Sequence, residues 1–213
     1  MAGFFSFYRD ERLGLVPCDR LTAIPFNPFK ENSMPKSAAS FEIDLQRVRE
    51  DARRHPELGP ITPGYGADRE TVLKLLNDAL ATELVCTLRY RRHYFMARGI
   101  ESEAVAAEFA EHAAEEQQHA DKLAARIVQL GGAPDFAPES LARRAHSEYR
   151  EGTDLADMIR ENLVAERIAI ETYREIIRYL GDGDTTTRRI FEEILAVEEE
   201  HADDMTDLLD DGK

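Results

Sequence analysis

Hydrophobic positions recur every three to four residues over four long stretches of this chain, with almost none of the alternation that marks β-strands. Turn-forming residues separate the stretches, including Gly99, Gly131-Gly132 and the segment Gly181-Asp182-Gly183-Asp184. The pattern therefore predicts four long helices. Their predicted bounds are Asp68–Arg98, Ser102–Leu130, the Thr153-Asp154 cap to Leu180, and the 181–184 turn to about Leu209.

The connections between these helices select the way they pack. The first and second helices, and the third and fourth, are separated by only a few residues, so each pair is predicted to form an antiparallel hairpin. About two dozen residues separate the second helix from the third, and a short helix from Pro138 to Tyr149 is predicted within them. The sequence therefore predicts an all-α fold, a four-helix bundle with one long crossover.

Residues 1–67 differ in composition from the rest of the chain. They hold seven of the nine prolines and balance nine basic residues against nine acidic ones. One short amphipathic helix is predicted between Ser40 as N-cap and His55, where Pro56 stops it. We expect a mostly irregular N-terminal extension over 1–67, whose role the sequence leaves open, and a helical domain over 68–213.

Charge and cysteine content narrow the possible partners and location. The chain carries 27 Lys+Arg against 42 Asp+Glu, so the whole net charge of −15 resides in 68–213. An acidic surface argues against binding to DNA or anionic lipid and favours cations. The sequence also shows no apolar run long enough to span a membrane and no signal peptide, and its cysteines, Cys18 and Cys86, are too few for a disulfide-linked scaffold, so we expect a cytoplasmic protein.

The motif Glu-x-x-His occurs twice, once in the second long helix and once in the fourth. Glu116 and His119 form the first copy, and Glu198 and His201 form the second. Residues three apart lie on the same side of a helix, so each pair can bind one divalent metal ion. In so acidic a chain, either pair alone is also typical of an exposed charged surface.

The turns between helices show that each motif faces a lone glutamate. Glu116 lies about sixteen residues after the first hairpin turn, and Glu83 lies the same distance before it. The second hairpin repeats the design with Glu198 and Glu166. Glu83 and Glu166 both lie in apolar stripes, where a buried carboxylate needs a positive partner. Four carboxylates carry a charge of −4, which two divalent cations neutralise.

This residue set resembles the di-iron carboxylate site of ferritin-like bundles, and its spacing is most similar to that of bacterioferritin. The resemblance covers about residues 68–209, and manganese stays open as the native metal beside iron. It implies that two glutamates bridge two metal ions and that each ion has one further carboxylate and one imidazole. The bridging pair is Glu116 and Glu198, and the terminal ligands are Glu83, His119, Glu166 and His201.

Three further residues lie at helical spacing beside the ligands. Tyr90, seven residues after Glu83, occupies the place of a tyrosine that bacterioferritins carry beside their metals. Asn162 lies one turn before Glu166, and Cys86 lies one turn after Glu83. Cys86 is either a redox-active thiol beside the centre or an ordinary core residue, and the latter is the usual role of a cysteine on an apolar stripe.

Two departures from bacterioferritin change the expectations for haem and assembly. The family ligates haem through a methionine directly after the glutamate of the second helix, where this chain has Gln117, so no haem is expected. Only twelve residues follow His201, which leaves no fifth helix of the kind that closes 24-subunit shells. The short crossover helix and the N-terminal extension are similar to Dps-type mini-ferritins. We therefore expect a hollow homo-oligomer of twelve subunits rather than twenty-four.

Other histidines and one basic run receive simpler interpretations. His112, four residues before Glu116, either supports the ligands or lies on the polar surface, and we expect the surface. His55, His93 and His146 are predicted to face solvent. The basic run 89–94 is predicted to contact an acidic neighbouring subunit rather than nucleic acid.

The resemblance implies ferroxidase chemistry, in which Fe²⁺ is oxidised by O₂ or H₂O₂ and stored inside the shell. The sequence does not choose between the two oxidants. An alternative keeps the site and changes the reaction to that of a hydroxylase, a manganese catalase or a rubrerythrin-like peroxidase. A second alternative is an acidic helical interaction module whose Glu and His pairs bind no metal.

Overall fold

The structure, a computed structural model, describes residues 41–98 and 102–211. The chain divides into two units, 1–43 and 44–213, and every helix described here belongs to the second. The helices are α1 (Leu45–Asp51), α2 (Arg69–Met96), α3 (Ser102–Gln129), α4 (Pro138–Arg144), α5 (Leu155–Leu180) and α6 (Thr185–Asp211), with one 3₁₀ turn at Pro56–Leu58. Across the described ranges, none of these helices has both the length and the apolarity that a membrane crossing requires.

The four long helices form the predicted bundle. Helix α2 packs along α3, α5 packs along α6, and further contacts between α2 and α5 and between α3 and α6 join the two hairpins. Helix α4 lies in the crossover between α3 and α5 and packs on α2. The prediction of an all-α four-helix bundle with one long crossover is confirmed.

Helices α2 and α5 begin where the caps predict, whereas Ser102, predicted as a cap, is the first residue of α3. Asp68 accepts a hydrogen bond from the backbone N–H of Thr71 at 3.0 Å, and Asp154 accepts one from Asp157 at 2.9 Å. Each carboxylate satisfies an N–H that has no partner within its helix. At the end of α5 the chain turns at Gly181, whose φ of 45° favours glycine.

Both short helices are shorter than the sequence predicted. Helix α1 begins after Asp44, not after Ser40, because the Asp44 carboxylate accepts the backbone N–H of Arg47 at 3.0 Å. Helix α4 ends at Arg144 and does not reach Tyr149. The backbone N–H of His146 instead donates to Thr82 Oγ1 on α2 at 2.9 Å, so a tertiary hydrogen bond replaces continuation of the helix.

The apolar core consists of two clusters at different levels of the bundle. One centres on Leu76, Leu123 and Phe191, and the other on Phe109 and Met205. Along each long helix, buried charged residues lie between the residues of the first cluster and those of the second. The bundle therefore encloses a polar layer between two apolar ones.

The segment before α2 contacts the bundle. Ile61, Tyr65 and Ala67 pack against the larger cluster, and the Tyr65 hydroxyl donates to Asp184 at 2.9 Å. The backbone N–H of Gly66 donates to the carbonyl of Gly183 at 3.1 Å. Residues before the boundary predicted at 67 thus pack against the helices that follow it. The division into an extension over 1–67 and a helical domain over 68–213 stays a prediction. Residues 1–40, which include Cys18, lie outside the described residues.

Candidate metal centre

The polar layer contains all six residues predicted as metal ligands. Each is at most 2% exposed, and each long helix contributes at least one of them. Their ligand atoms form two groups, and within each group all atoms lie within 4.8 Å of one another. The first group is Glu83, Glu116, His119 and Glu198, and the second is Glu116, Glu166, Glu198 and His201.

Two glutamates belong to both groups, and each turns one oxygen toward each imidazole. Around His119 Nδ1, Glu198 Oε1 lies at 3.1 Å and Glu116 Oε2 at 3.7 Å. Around His201 Nδ1, Glu198 Oε2 lies at 3.4 Å and Glu116 Oε1 at 3.7 Å. Glu83 Oε2 completes the surroundings of His119 Nδ1 at 3.4 Å. Glu116 and Glu198 therefore lie between the two imidazoles, in the position of bridging ligands.

The ligand atoms fit divalent cations. Glu83 Oε2, Glu166 Oε2, both oxygens of Glu116 and Glu198, and Nδ1 of His119 and His201 are buried without a hydrogen-bond partner. Buried polar atoms normally have such a partner, so the convergence of these eight atoms points to a cation-binding site. Atoms bound to one metal ion at about 2.1 Å lie about 3.0–3.4 Å apart, close to the distances seen here. Carboxylate oxygens and imidazoles are suitable ligands for iron and manganese.

Electrostatics also favours cations in this layer. Burial and the charge of Glu116 raise the pKa of Glu83 to about 8. Burial and the neighbouring carboxylates raise the pKa of Glu166 well above its ordinary value. Burial alone would lower the pKa of His119 and His201, but the surrounding carboxylates raise both pKa values to about 12. In the absence of metal, bound protons therefore offset part of the negative charge.

Two tyrosines hydrogen-bond to the terminal glutamates. The Tyr90 hydroxyl donates to Glu166 Oε1 at 2.5 Å, and the Tyr173 hydroxyl donates to Glu83 Oε1. Both tyrosines are fully buried. Tyr90 was predicted beside the metal ligands from the sequence, whereas Tyr173 was not. The available signal was its spacing, because Tyr173 follows Glu166 by seven residues as Tyr90 follows Glu83.

A buried arginine, Arg89, lies beside the centre, although the basic run 89–94 was predicted to lie at the surface. Arg89 is 0% exposed, its Nε donates to Asn162 Oδ1 at 2.9 Å, and its Nη2 lies 4.0 Å from Glu166 Oε1. The assignment of the whole run 89–94 to a subunit contact was therefore wrong for Arg89, Tyr90 and His93, each of which is 0% exposed. Asn162 is also buried and connects to Glu166 through Arg89.

Cys86 is buried in the same neighbourhood. Its Sγ lies 3.4 Å from Arg89 Nη2 and 3.5 Å from Ser147 Oγ. Burial raises the pKa of the thiol well above its ordinary value, so the sulfur stays protonated at neutral pH. A protonated, enclosed thiol is a poor nucleophile, and these properties agree with those of a core cysteine.

Three histidines expected at the surface are partly or fully buried. The ring of His112 stacks on His201 with centroids 3.9 Å apart, and its Nδ1 lies 3.3 Å from the Tyr90 hydroxyl. His93 is 0% exposed and contacts Asn162 Oδ1 at 3.2 Å. His146 is half-buried, whereas His55 is exposed as predicted. The signal for His112 was its position four residues before Glu116, on the same face of the helix.

The fold and this centre are those of a ferritin-like protein, and the comparisons with known proteins agree. The sequence profile of the ferritin-like domain matches residues 73–213. The match covers more than half of the chain, which therefore belongs to the ferritin-like family.

Three known proteins show where in this family the similarity is strong. Bacterioferritin from Brucella melitensis is 33% identical over 141 residues, which cover 65% of this chain and 83% of that protein. The DNA protection during starvation protein of Pyrococcus furiosus is 31% identical over 141 residues, covering 64% and 75%. Among solved structures, the dodecameric thioferritin of Bacteroides fragilis, a bacterioferritin-related protein, is 35% identical with a TM-score of 0.66, covering 68% and 88%. The predicted likeness to bacterioferritin and Dps-type proteins is confirmed.

Proposed function

We propose that this protein is a ferroxidase and iron-storage protein whose substrate, Fe²⁺, binds as a pair in the six-residue centre. One observation carries the proposal. Eight buried nitrogen and oxygen atoms from these residues lack hydrogen-bond partners, and Glu116 and Glu198 each direct one oxygen toward each imidazole. That arrangement suits two adjacent cations that share two carboxylates.

The residues divide between the two ions by position. Glu83 and His119 would hold one ion, Glu166 and His201 the other, and the two shared glutamates would lie between them. Each Fe²⁺ gives up one electron, so a bound pair supplies the two electrons that convert O₂ to H₂O₂, or H₂O₂ to water, with two protons taken up. Iron and manganese both suit these ligands, and we assign iron because several relatives of this chain are bacterioferritins.

The surrounding residues orient the ligands. His201 Nε2 lies 2.7 Å from Glu115 Oε2, so the ring can donate its proton there and turn Nδ1 toward the centre. The hydroxyls of Tyr90 and Tyr173 hold one oxygen of each terminal glutamate, which leaves the other oxygen free to bind a cation. Apolar clusters on both sides of the polar layer limit the access of water.

We further propose that the chain assembles into a hollow shell of twelve subunits and binds no haem. The solved relative with 35% identity is named as a dodecamer, which supports twelve over twenty-four. Gln117 is exposed and hydrogen-bonds to Asp121 at 3.0 Å, so the position where bacterioferritins carry their haem methionine offers no sulfur here.

The deciding experiment removes the charge of the terminal carboxylates without changing their shape. In the double variant Glu83→Gln, Glu166→Gln, we expect rapid Fe²⁺ oxidation, followed by stopped-flow absorbance, to slow by at least about 100-fold, since loss of even supporting groups costs 10–100-fold. The matched control is Glu70→Gln, Glu171→Gln, two exposed glutamates on the same helices. If Glu83→Gln, Glu166→Gln oxidised Fe²⁺ at the wild-type rate and bound two metal ions per chain, the assignment would be refuted.

A further inference from the structure

The two hairpins repeat the same ligand pattern, but their surroundings differ at one end of the centre. Glu116 on α3 corresponds to Glu198 on α6, so positions counted from these two residues can be compared directly. Four residues before Glu116 the chain has His112, whereas four residues before Glu198 it has Ile194. Both side chains are buried, with 2% and 0% exposure. An imidazole thus replaces an aliphatic side chain beside one of the two ligand histidines.

The same asymmetry extends to the surface of the bundle. Around His112 and His201 lie three partly exposed carboxylates, those of Glu108, Glu115 and Asp204. The corresponding positions around His119 hold two aliphatic residues and a lysine. They are Ile190, Val197 and Lys122. At these three positions the His201 side of the centre carries negative charge, whereas the His119 side carries one positive charge and no negative charge.

Three of these residues form a site of their own. His112 Nε2 lies 3.4 Å from Asp204 Oδ2 and 3.7 Å from Glu108 Oε1, and the three ligand atoms all lie within 4.8 Å of one another. The side chains of Glu108 and Asp204 are 36% and 41% exposed, whereas that of His112 is 2% exposed. The Tyr90 hydroxyl, 3.3 Å from His112 Nδ1, occupies the other side of the ring, so Nε2 faces the two carboxylates.

These distances match those of a divalent cation site. Two ligand atoms at about 2.1 Å from one ion lie about 3.4 Å apart at a tetrahedral angle, close to the two distances from Nε2. One imidazole and two carboxylates form a ligand set that suits first-row metals, and partial exposure of the carboxylates leaves room for water as a further ligand.

The site is also connected to the centre. The rings of His112 and His201 stack with centroids 3.9 Å apart, and Glu115 reaches His201 Nε2 at 2.7 Å. His112, Glu115 and His201 form another group of ligand atoms within 4.8 Å of one another. Carboxylate and imidazole side chains therefore form an unbroken series of possible metal ligands, from the partly exposed Glu108 and Asp204 to the buried His201.

We propose that Glu108, His112 and Asp204 bind a third divalent cation, and that Fe²⁺ passes from this uptake site to the centre. The passage rests on the proposed function, because it presumes that the centre takes up Fe²⁺. The binding of a cation at the uptake site does not rest on it. The two statements can therefore be tested separately.

The binding test uses zinc as the probe. Crystals of the whole oligomer soaked with Zn²⁺ should show an anomalous peak between Glu108, His112 and Asp204, and calorimetry should give three sites per chain. In Glu108→Gln, Asp204→Asn we expect that peak to disappear and two sites to remain. The control Glu111→Gln, Asp203→Asn removes the same charge from exposed positions on the same helices and should keep three sites. Zinc in the centre with none at the uptake site would overturn the proposal.

Two further measurements separate uptake from the function of the centre. In Glu83→Gln, Glu166→Gln, zinc should still occupy the uptake site. If wild-type crystals held zinc at the uptake site and none in the centre, only the proposed function would be refuted. For Fe²⁺ oxidation, Glu108→Gln, Asp204→Asn should raise KM by about tenfold, as expected for lost metal contacts, and change kcat less. An unchanged KM, or an equal rise in the Glu111→Gln, Asp203→Asn control, would show that Fe²⁺ does not pass through this site.

Discussion

The hydroxyl of Tyr90 on α2 donates to Glu166 on α5 at 2.5 Å, and Tyr173 on α5 donates in return to Glu83 on α2. Each helix therefore supplies a terminal carboxylate and the tyrosine that orients the carboxylate of the other. The two bonds cross between the hairpins at the level of the centre, where buried like charges would otherwise push the helices apart. They connect the packing of the hairpins to the geometry of the ligands.

Replacement of either tyrosine by phenylalanine should separate these two effects. In Tyr90→Phe or Tyr173→Phe we expect a folded helical protein whose free energy of unfolding falls by about 1–3 kcal/mol, because a buried carboxyl loses its donor. Fe²⁺ oxidation should slow as the freed carboxylate adopts other orientations. Circular dichroism melting and stopped-flow oxidation measure the two effects.

Tyr179→Phe provides the control for these variants. Tyr179 lies on the same helix as Tyr173, but it is 51% exposed. Its replacement should change neither the melting temperature nor the oxidation rate. If Tyr90→Phe and Tyr173→Phe also behaved like the wild type, the hydroxyls would have no orienting role.

The grouping of the candidate ligands was predictable from sequence because helical geometry is regular over long distances. Glu83 and Glu116 each lie about sixteen residues from the turn between their helices, so they lie at the same level of the antiparallel pair. The same holds for Glu166 and Glu198. Once the four helices were assigned, the level of each carboxylate in the bundle followed. The fold and the position of the candidate site were therefore available without the structure.

The residues supporting the ligands were less predictable, because their partners lie far away in sequence. Arg89 and His93 look like part of an exposed basic run, but both are buried and both contact Asn162 on α5, about seventy residues later. His112 lies on a helix rich in charge, and its burial depends on stacking against His201 of α6. Helical spacing places His112 on the same face as Glu116, but it does not show which side chains of other helices that face contacts. The end of α4 was missed for the same reason, since its stop depends on Thr82.

A second prediction concerns Asp184, the residue directly before α6, at the end of the helix that is remote from the centre. Its carboxylate accepts two hydrogen bonds from Arg126 Nη2, at 2.9 and 3.1 Å, and one from the backbone N–H of Thr187 at 2.9 Å. Burial opposes ionisation, but hydrogen bonds from the hydroxyl and backbone N–H of Thr187 and from Tyr65, together with the charge of Arg126, hold the pKa of Asp184 below its ordinary value. Asp184→Asn should cost about 3–5 kcal/mol, because it leaves the charge of Arg126 buried and unpaired.

The sign of the accompanying pH effect follows from the lowered pKa. Asp184 contributes its full stability above the unfolded-state pKa of about 3.9 and loses it as the pH falls through the lower folded-state pKa. The gap between wild type and Asp184→Asn in urea unfolding should therefore shrink below about pH 4. Asp182→Asn is the control, since Asp182 lies in the same turn but is 98% exposed at its side chain. An equal loss of stability in both variants would contradict the assignment.

A third prediction concerns haem. Gln117 carries no thioether and its amide is engaged with Asp121, so the purified protein should show no Soret band and should not take up added haemin in a fixed ratio. Absorbance titration with haemin checks this directly. A saturable Soret band with one haem per two chains would show that another side chain supplies an axial ligand.

A fourth prediction concerns the size of the assembly. Twelve chains of 24.2 kDa weigh about 290 kDa, and twenty-four weigh about 581 kDa. We expect native mass spectrometry to give the smaller value, in line with the dodecameric relative. The particle should also retain iron far above two atoms per chain after loading with Fe²⁺ and air. A monomer or dimer that oxidises iron but stores none would favour a di-metal oxygenase of the same fold.

The last prediction concerns DNA, because one relative is named for DNA protection. In this chain residues 1–67 balance nine basic residues against nine acidic ones, and 68–213 hold the entire net charge of −15. Binding to duplex DNA depends on Lys and Arg side chains that replace the counterions of the phosphates. A strongly negative particle instead repels the duplex. We therefore expect fluorescence anisotropy with a labelled duplex to give a Kd weaker than about 10⁻⁴ M at physiological salt, the weak end of non-specific binding. Tighter binding that weakens steeply with added salt would show that basic side chains of residues 1–67 act apart from the net charge of the bundle.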